Sequence, residues 1–307
     1  MYCPGMDRLN YDHLLYFWTV AKEGSVAAAC RRLHLAQPTV SGQIRTLERS
    51  LGHKLLERRG RGLVLTEMGQ AVFGFADDIF SIGLSLIDAV RGRAPEERLR
   101  LRVGVTDVLP KLVVYRILLP ILSMPERVRL VCYEGKQPEL LARLTVHELD
   151  VVLADTPVPP HMSAGVYSHR LGESGLSVFG THGLTRKHRA GFPQSLDGAP
   201  FLLSTTNTVV RRTLDHWLKA QNLRPRIVGE FEDSALLKAF GQSGAGFFVA
   251  PSLIEREVRD QYGVSILGRV PGVKEHFYAI SAERKIKHPA MVVLTDYARV
   301  KLSSTGG

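Results

Sequence analysis

At 307 residues the chain exceeds the size at which one hydrophobic core keeps growing, so two or more domains are expected. Hydrophobic residues at 45% and charged residues at 23% are ordinary globular usage and exclude a disordered or collagen-like polymer. A net charge of +10 points to a polyanionic partner if it is clustered, and residues 31–61 cluster it, with eight Lys/Arg against Glu48 and Glu57, a local net of +6.

Residues 66–92 reverse the sign: Glu67, Asp77, Asp78 and Asp88 face only Arg91, so a basic module is followed by an acidic connector. No stretch reaches about 18 uninterrupted apolar residues, and Met1 to Asn10 has no apolar core of a secretory signal, so a cytoplasmic protein without a membrane partner is expected. Cys3, Cys30 and Cys132 are far apart and outside any C-x-x-C spacing, which indicates neither a disulfide framework nor a zinc site.

From Tyr11 to Lys22, Leu14, Leu15, Phe17, Trp18 and Ala21 recur at three- and four-residue spacing, as in a helix with one buried face, and Gly24 ends it. Ser25 is placed to cap a short alanine-rich helix over Val26 to Leu33, and His34-Leu35-Ala36 is the turn. A third helix opens at Gln37-Pro38, where proline costs no hydrogen bond. Val40, Ile44, Leu47 and Leu51 fall on one stripe, and Pro38, Gly42, Arg45 and Arg49 fall opposite, with Ser41 and Glu48 beside them. Two short helices joined by a three-residue turn, the second basic on its outer side, have the form of a helix-turn-helix with its recognition helix. Two short apolar runs around Arg58-Arg59-Gly60-Arg61 then read as a β-hairpin wing. Each feature alone also fits a plain helical bundle or a solvated turn; their combination selects DNA binding, by Gln37, Pro38, Thr39, Ser41, Arg45 and Arg49 of the helix and Arg58, Arg59 and Arg61 of the wing.

The run Phe17 to Leu65 carries Glu23-Gly24-Ser25, Leu33-His34-Leu35-Ala36-Gln37-Pro38, Ser41-Gly42-Gln43-Ile44-Arg45 and Leu51-Gly52, followed by Leu65-Thr66-Glu67-Met68-Gly69. In these motifs the chain resembles the winged helix-turn-helix of LysR-type transcriptional regulators, and within them Tyr16-Phe17-Trp18 and Lys22-Glu23-Gly24-Ser25-Val26 are most similar to the sodium/proton antiporter activator subgroup. It departs from the family pattern at Ala36, where a capping serine is common, and at Gly42, where arginine is common.

Thr66 is placed to cap a long helix on which Met68, Val72, Phe75, Ile79, Ile82, Leu86 and Ala89 repeat at alternating four- and three-residue steps, a heptad seam. Such a seam calls for a partner helix and predicts dimerisation; packing on its own domain is the alternative. From Leu99, apparent strands (Leu99–Val105, Val128–Tyr133, Asp150–Ala154) alternate with helices (Leu109–Leu122, Pro138–His147), which implies a parallel sheet. A second such unit runs through Phe201–Leu203, Val209–Asn222, Ile227–Phe231, Ser234–Ser243 and Phe247–Ala250, a helix covers Ser252–Tyr262, and Val264–Val270 returns to the first unit.

Glu230-Phe231-Glu232-Asp233-Ser234 and Gly244-Ala245-Gly246-Phe247-Phe248-Val249-Ala250-Pro251 are similar to the LysR-type effector domain, two Rossmann-like lobes of the periplasmic-binding-protein type joined by two crossover strands. The fold class expected is therefore α/β: a winged helix-turn-helix over residues 1–65, a dimerisation helix over 66–92, and an effector domain over 93–307, with lobe I at about 99–165 and 268–307 and lobe II at about 166–267. The resemblance places a small-molecule effector near Thr106, Asp107, Ser204, Thr205, Thr206 and Asn207. Hydroxyls and helix N-terminal amides suit an anion, and the net charge of +8 over residues 93–307 agrees with that. A Ser/Thr helix cap is the plain alternative for that loop, and Asp107, Glu134 and Asp155, which follow strands, leave a hard cation such as sodium as the alternative effector. The resemblance also implies a dimer of dimers on an operator of double-stranded DNA, with effector binding changing the DNA bend or the contact with RNA polymerase.

Nothing points to catalysis or a cofactor. Gly241-x-x-Gly244-x-Gly246 has the wrong spacing for a dinucleotide loop, and there is no Walker sequence, no H-E-x-x-H helix and no G-x-S-x-G elbow. A plain solute-binding protein would leave Arg45 and the arginines of the wing without a role.

Overall fold

The computed structural model describes residues 9–59, 62–90, 99–125, 128–163, 165–206, 208–282 and 288–303. It divides into two compact units, Met1–Leu99 with Ala142–Leu149, and Arg100–Leu141 with Asp150–Gly307.

In the first unit, α1 (Tyr11–Glu23) starts where the Asn10 carboxamide oxygen accepts the N–H groups of Asp12 and His13, and stops at Gly24, whose φ of 67° suits a residue without Cβ. Ser25 caps α2 (Val26–Leu33) by accepting the Ala28 N–H, and α3 (Gln37–Leu51) follows at Ala36, which offers no side-chain cap. Phe17, Ala29, Val40 and Leu47 are fully buried where the three helices meet, each large side chain contributing about 1.5–3 kcal/mol of transfer free energy. Strands β1 (Leu56–Arg59) and β2 (Gly62–Leu65) pair antiparallel, Leu56 opposite Leu65. Helix α4 (Glu67–Val90) begins with the Thr66 hydroxyl accepting the Gly69 N–H while donating to the Lys54 carbonyl.

The heptad seam along α4 needs correction. Val72 and Ile79 pack, with Phe73, Ala76 and Phe80, against the core of α1–α3, whereas Phe75, Ile82 and Leu86 stand exposed together with Leu84, Ile87 and Val90. One helix thus uses two apolar faces. Asp77 is not a free surface charge either: it accepts the Trp18 Nε1–H at 2.9 Å and ties α4 to α1.

After α4 the chain continues with β3 (Leu99–Thr106), α5 (Lys111–Leu118), β4 (Val128–Gly135), α6 (Gln137–Thr145), β5 (Val151–Ala154), β6 (Tyr167–Gly180), α7 (His182–His188), β7 (Pro200–Ser204), α8 (Val209–Ala220), β8 (Arg226–Phe231), α9 (Ser234–Gln242), β9 (Phe248–Pro251), α10 (Glu255–Tyr262), β10 (Ser265–Ser281) and α11 (Pro289–Ser303). One sheet has the order β4-β3-β5-β10-β6-β9, and a second pairs β7 with β8.

The parallel expectation holds for β3 with β5 and for β7 with β8, but β10 runs antiparallel to both β5 and β6, and β6 antiparallel to β9, so the large sheet is mixed. The antiparallel pair β6 and β10 consists of the two long strands that cross between lobes. Sequence periodicity misses β6 because glycines and charged residues fill its first half, and it ends the return strand at Val270, where Pro271-Gly272 interrupts the pattern. The ladder absorbs that interruption as a register shift between Val270 and Lys274, and β10 runs on to Ser281. The helix expected over Leu109–Leu122 is α5 followed by a 3-10 turn at Leu119–Ser123, bounded by Pro110 and Pro120. Sequence periodicity likewise misses α7 and α11. The second-lobe core is built on Phe201, Phe247, Leu196 and Val178, all fully buried, with Leu214 and Trp217 of α8.

Candidate nucleic-acid interface and effector cleft

Helix α3 has one face sealed and one open. Val40, Ile44 and Leu47 are buried, whereas Gln37, Pro38, Thr39, Arg45 and Arg49 are exposed and Ser41 is half-buried. Arg49 donates to the Thr46 hydroxyl at 3.1 Å, which lays its guanidinium along the helix surface, and Arg45 projects without a recorded ion pair among the described residues. Arg58 on β1 is exposed. Of the other wing residues expected to bind DNA, Arg59 lies in β1 with its side chain outside the described residues, as does Arg61 altogether.

Glu48 corrects the expected outer face. Its position beside Arg45 and Arg49 predicts exposure, but it is only 7% exposed, accepting the Leu55 N–H at 2.9 Å and the Lys54 ammonium at 2.9 Å. Burial pushes its carboxyl up, but the bonds from Lys54, Leu55 and Leu56 outweigh that and leave it below the usual glutamate value. The helix that carries the exposed arginines is thereby locked to the strand that carries Arg58.

In the second unit, Thr106 closes β3 and is 2% exposed, its Oγ1 lacking a hydrogen-bond partner among the described residues. Asp107 is half-buried and its N–H donates to the Gly135 carbonyl. In the smaller sheet, Ser204 ends β7 with its hydroxyl 3.1 Å from that of Thr208, Thr205 donates its N–H to the Phe231 carbonyl, Thr206 is exposed, and Asn207 lies outside the described residues. The cap of α8 is Thr208, which accepts the Arg211 N–H. Arg211 in turn holds the loop, donating to the Ser204 carbonyl at 2.6 Å and to Asp215 and Glu230.

Sequence reasoning missed two buried charged residues of the second unit. Glu275 on β10 is 4% exposed with its Oε2 unpartnered among the described residues, and Lys238 on α9 is equally buried, donating to the Ser234 carbonyl at 3.0 Å. Burial, then the charge of Asp155, push the Glu275 carboxyl up to about 8, and burial takes Lys238 down to about 8 against the pull of Asp233 and Glu275. Asp155, after β5, is also raised by burial, with Arg212 of α8 pulling it down and Asp107 pushing it up. Asp155 thus feels the charges of Asp107, Arg212 and Glu275, and Glu275 that of Lys238, so groups from β3, β5, α8, α9 and β10 share one polar region. Alternation along β10 holds the signal for Glu275: Val273, Phe277 and Ala279 share its buried face. Lys238 sits on the α9 stripe of Leu237 and Gly241, where a lysine breaks the apolar pattern.

Glu134 does not join the carboxylates: it lies within β4 and pairs with Lys111. Among the described residues no group of three or more His, Cys, Asp or Glu is placed to hold a metal ion. No helix of the described residues is long and apolar enough to cross a membrane.

A winged helix-turn-helix with a basic open face, followed by a two-lobed α/β domain with a buried polar centre, defines a DNA-binding regulator that responds to a ligand. Residues 11–70 match the family described as bacterial regulatory helix-turn-helix protein, lysR family, and residues 94–303 match the LysR substrate binding domain. The chain is 39% identical over 295 residues to the transcriptional activator protein NhaR of Escherichia coli (strain K12), covering 95% of this chain and 97% of that relative. It is 26% identical over 267 residues to the regulator PcaQ of Agrobacterium fabrum, covering 82% of each. Its fold is similar to the crystal structure of ArgP from Mycobacterium tuberculosis, with a TM-score of 0.62, 20% identity and coverage of 96% of this chain and 98% of that one. It is likewise similar to full-length CbnR complexed with its target DNA, with a TM-score of 0.51, 22% identity and coverage of 96% and 100%. The chain belongs to the LysR family: it is a DNA-binding transcriptional regulator with an effector-binding domain, and not an enzyme.

Proposed function

We propose that this protein activates transcription by laying α3 in the major groove of an operator, with Gln37, Pro38, Thr39, Ser41, Arg45 and Arg49 facing base edges and phosphates, and Arg58, Arg59 and Arg61 of the wing reaching the backbone beside it. The observation that carries this reading is the division of α3 into a sealed face on Val40, Ile44 and Leu47 and an open basic face on Arg45 and Arg49. The 39% identical relative is a transcriptional activator, which supports activation as the sign of control. Residues 1–65 form the DNA head, 66–92 the connector and 93–307 the effector domain. The exposed apolar residues of α4 support pairing of two chains, and two such dimers read an interrupted inverted repeat, in the cytoplasm, in contact with RNA polymerase.

The effector binds between the lobes, against Thr106, Asp107 and the loop of Ser204, Thr205, Thr206 and Asn207, with Lys238 and Glu275 at the floor. An anion is favoured: below about pH 8 the Glu275 carboxyl holds its proton and Lys238 its charge, so both join the Thr106 hydroxyl as donors. Binding there biases the angle between lobes and so the spacing of the DNA heads.

The test is a genome-wide selection of bound fragments followed by footprinting of the parent and of Arg45→Ala. The variant is expected to melt with the parent, to lose about tenfold in operator affinity and to lower the salt slope by about one. An identical footprint and affinity would sink the assignment of α3. Thr106→Val and Lys238→Met, screened against small carboxylates in a reporter strain, are expected to bind the operator yet no longer respond.

A further inference from the structure

The second lobe holds a cavity of about 520 Å³ whose lining includes Arg186, Arg189, Arg259, His182, Ser265 and Ile266. It shares no residue with the cleft described above. Arg186 comes from α7, Arg189 from the 3-10 turn that directly continues it, Arg259 from α10, and Ser265 with Ile266 from the first residues of β10, so three pieces of backbone converge on one space.

Its charge is one-sided. Among the described residues no carboxylate lines the cavity, and none of the three arginines has an ion pair. The acids on α10 pair elsewhere: Glu255, which Arg259 influences, is held by Arg269 at 2.9 Å and by the Ser177 hydroxyl, Glu257 pairs with Arg116 at 3.3 Å, and Asp260 pairs with Arg256 at 3.5 Å. Three exposed guanidinium groups around one concavity, with no carboxylate in its described lining, raise the local positive potential, and the guanidinium fork matches an oxyanion with two parallel hydrogen bonds. The Ser265 hydroxyl and the His182 imidazole, 3.5 Å apart, add hydrogen-bonding groups at the same wall.

Size and lining narrow the ligand class. A space of about 520 Å³ falls in the range of small-molecule sites and exceeds a lone inorganic oxyanion, leaving room for an organic body against the side chain of Ile266. Neutralising three guanidinium charges calls for more than one negative charge. We propose that this cavity binds a small organic phosphate carrying at least two negative charges, as a second ligand input separate from the effector cleft. Phosphate is favoured over a single carboxylate because its three terminal oxygens accept from several forks at once.

The test titrates the full-length protein with inorganic pyrophosphate by calorimetry at constant ionic strength. It compares the parent, the double variant Arg186→Gln/Arg189→Gln, the single variant Arg259→Gln, and Arg45→Ala/Arg58→Ala as the control for phosphate affinity of the DNA head. The expected result is saturable binding at one site per chain, weakened at least tenfold in both cavity variants and unchanged in the head control, with all variants melting together by circular dichroism. Absence of saturable binding, or loss in the head control with retention in the cavity variants, overturns the proposal. So does cavity-dependent binding of a hexaglutamate peptide or of citrate where pyrophosphate fails, since the surface would then take an acidic protein segment or a polycarboxylate.

Discussion

The carboxylate of Glu48 accepts the backbone N–H of Leu55 at 2.9 Å, so the recognition helix and the first strand of the wing share one buried charge. That bond fixes the two arginine-bearing elements relative to each other before any DNA is present. A rigid pair of this kind loses less conformational freedom on docking than two independent elements would.

Glu48→Ala is therefore expected to destabilise the DNA head by about 2–3 kcal/mol, because two backbone N–H groups and Lys54 lose a charged acceptor. The folded carboxyl sits below its ordinary value, so its contribution is present at neutral pH and fades as pH falls below about 4. Thermal melts from pH 7 to pH 3 check this: the gap between parent and variant narrows at the acid end.

Gly69 stands in the first turn of α4 against the wing. A Cβ there would lie 1.9 Å from the Leu55 carbonyl oxygen, a backbone atom that cannot swing aside. Gly69→Ala is expected to cost more than about 2 kcal/mol through this clash and to weaken operator binding with it. Gly42→Ala on the open face of α3, whose Cβ would meet nothing within 4 Å, is the matched control and keeps its stability. Equal melting of the two variants would show that the junction yields.

Ile82 and Leu86 are 71% and 65% exposed on α4, a side of the helix that the core of α1–α3 does not cover. Large exposed aliphatic side chains in register mark an association surface. Ile82→Asp with Leu86→Asp is expected to halve the mass measured by light scattering while leaving the far-ultraviolet spectrum of the chain intact. An unchanged mass would place the interface elsewhere.

Glu275 makes stability depend on pH in the sense opposite to Glu48. Its folded value of about 8 lies above the ordinary glutamate value, so the native state keeps a proton that the unfolded chain releases, and that stabilisation is lost as pH rises through about 8. Glu275→Gln removes the buried charge. The variant is expected to match the parent near pH 5 and to exceed it by a few kcal/mol at pH 9, read from denaturant melts. Parallel melts across that interval would mean that the carboxyl is ionised and paired throughout.

Much of the DNA head is readable from local pattern. The stripe of Val40, Ile44 and Leu47, the cap at Ser25 and the stop at Gly24 each act within one turn of helix, so period and capping chemistry place α1–α3 and the hairpin of the wing. The outward residues Arg45 and Arg49 follow from the same geometry. Glu48 does not, because its burial depends on Leu55 and Lys54 folding back across the end of the helix. The cleft is less legible. Thr106 and Ser204 end strands and can be placed by position, but Lys238 and Glu275 lie far apart in the chain and meet only through the crossover of β10.

Local signals alone set the order of parts: a basic helix-turn-helix, an acidic helical connector, and alternating strands and helices, all carried by periodicities and caps spanning a few residues. Which charges leave water is settled by long-range packing. Burial of Glu48, Lys238 and Glu275, the second apolar face of α4, and the gathering of Arg186, Arg189 and Arg259 around one space are set by segments remote in sequence, since desolvation depends on everything packed around a group.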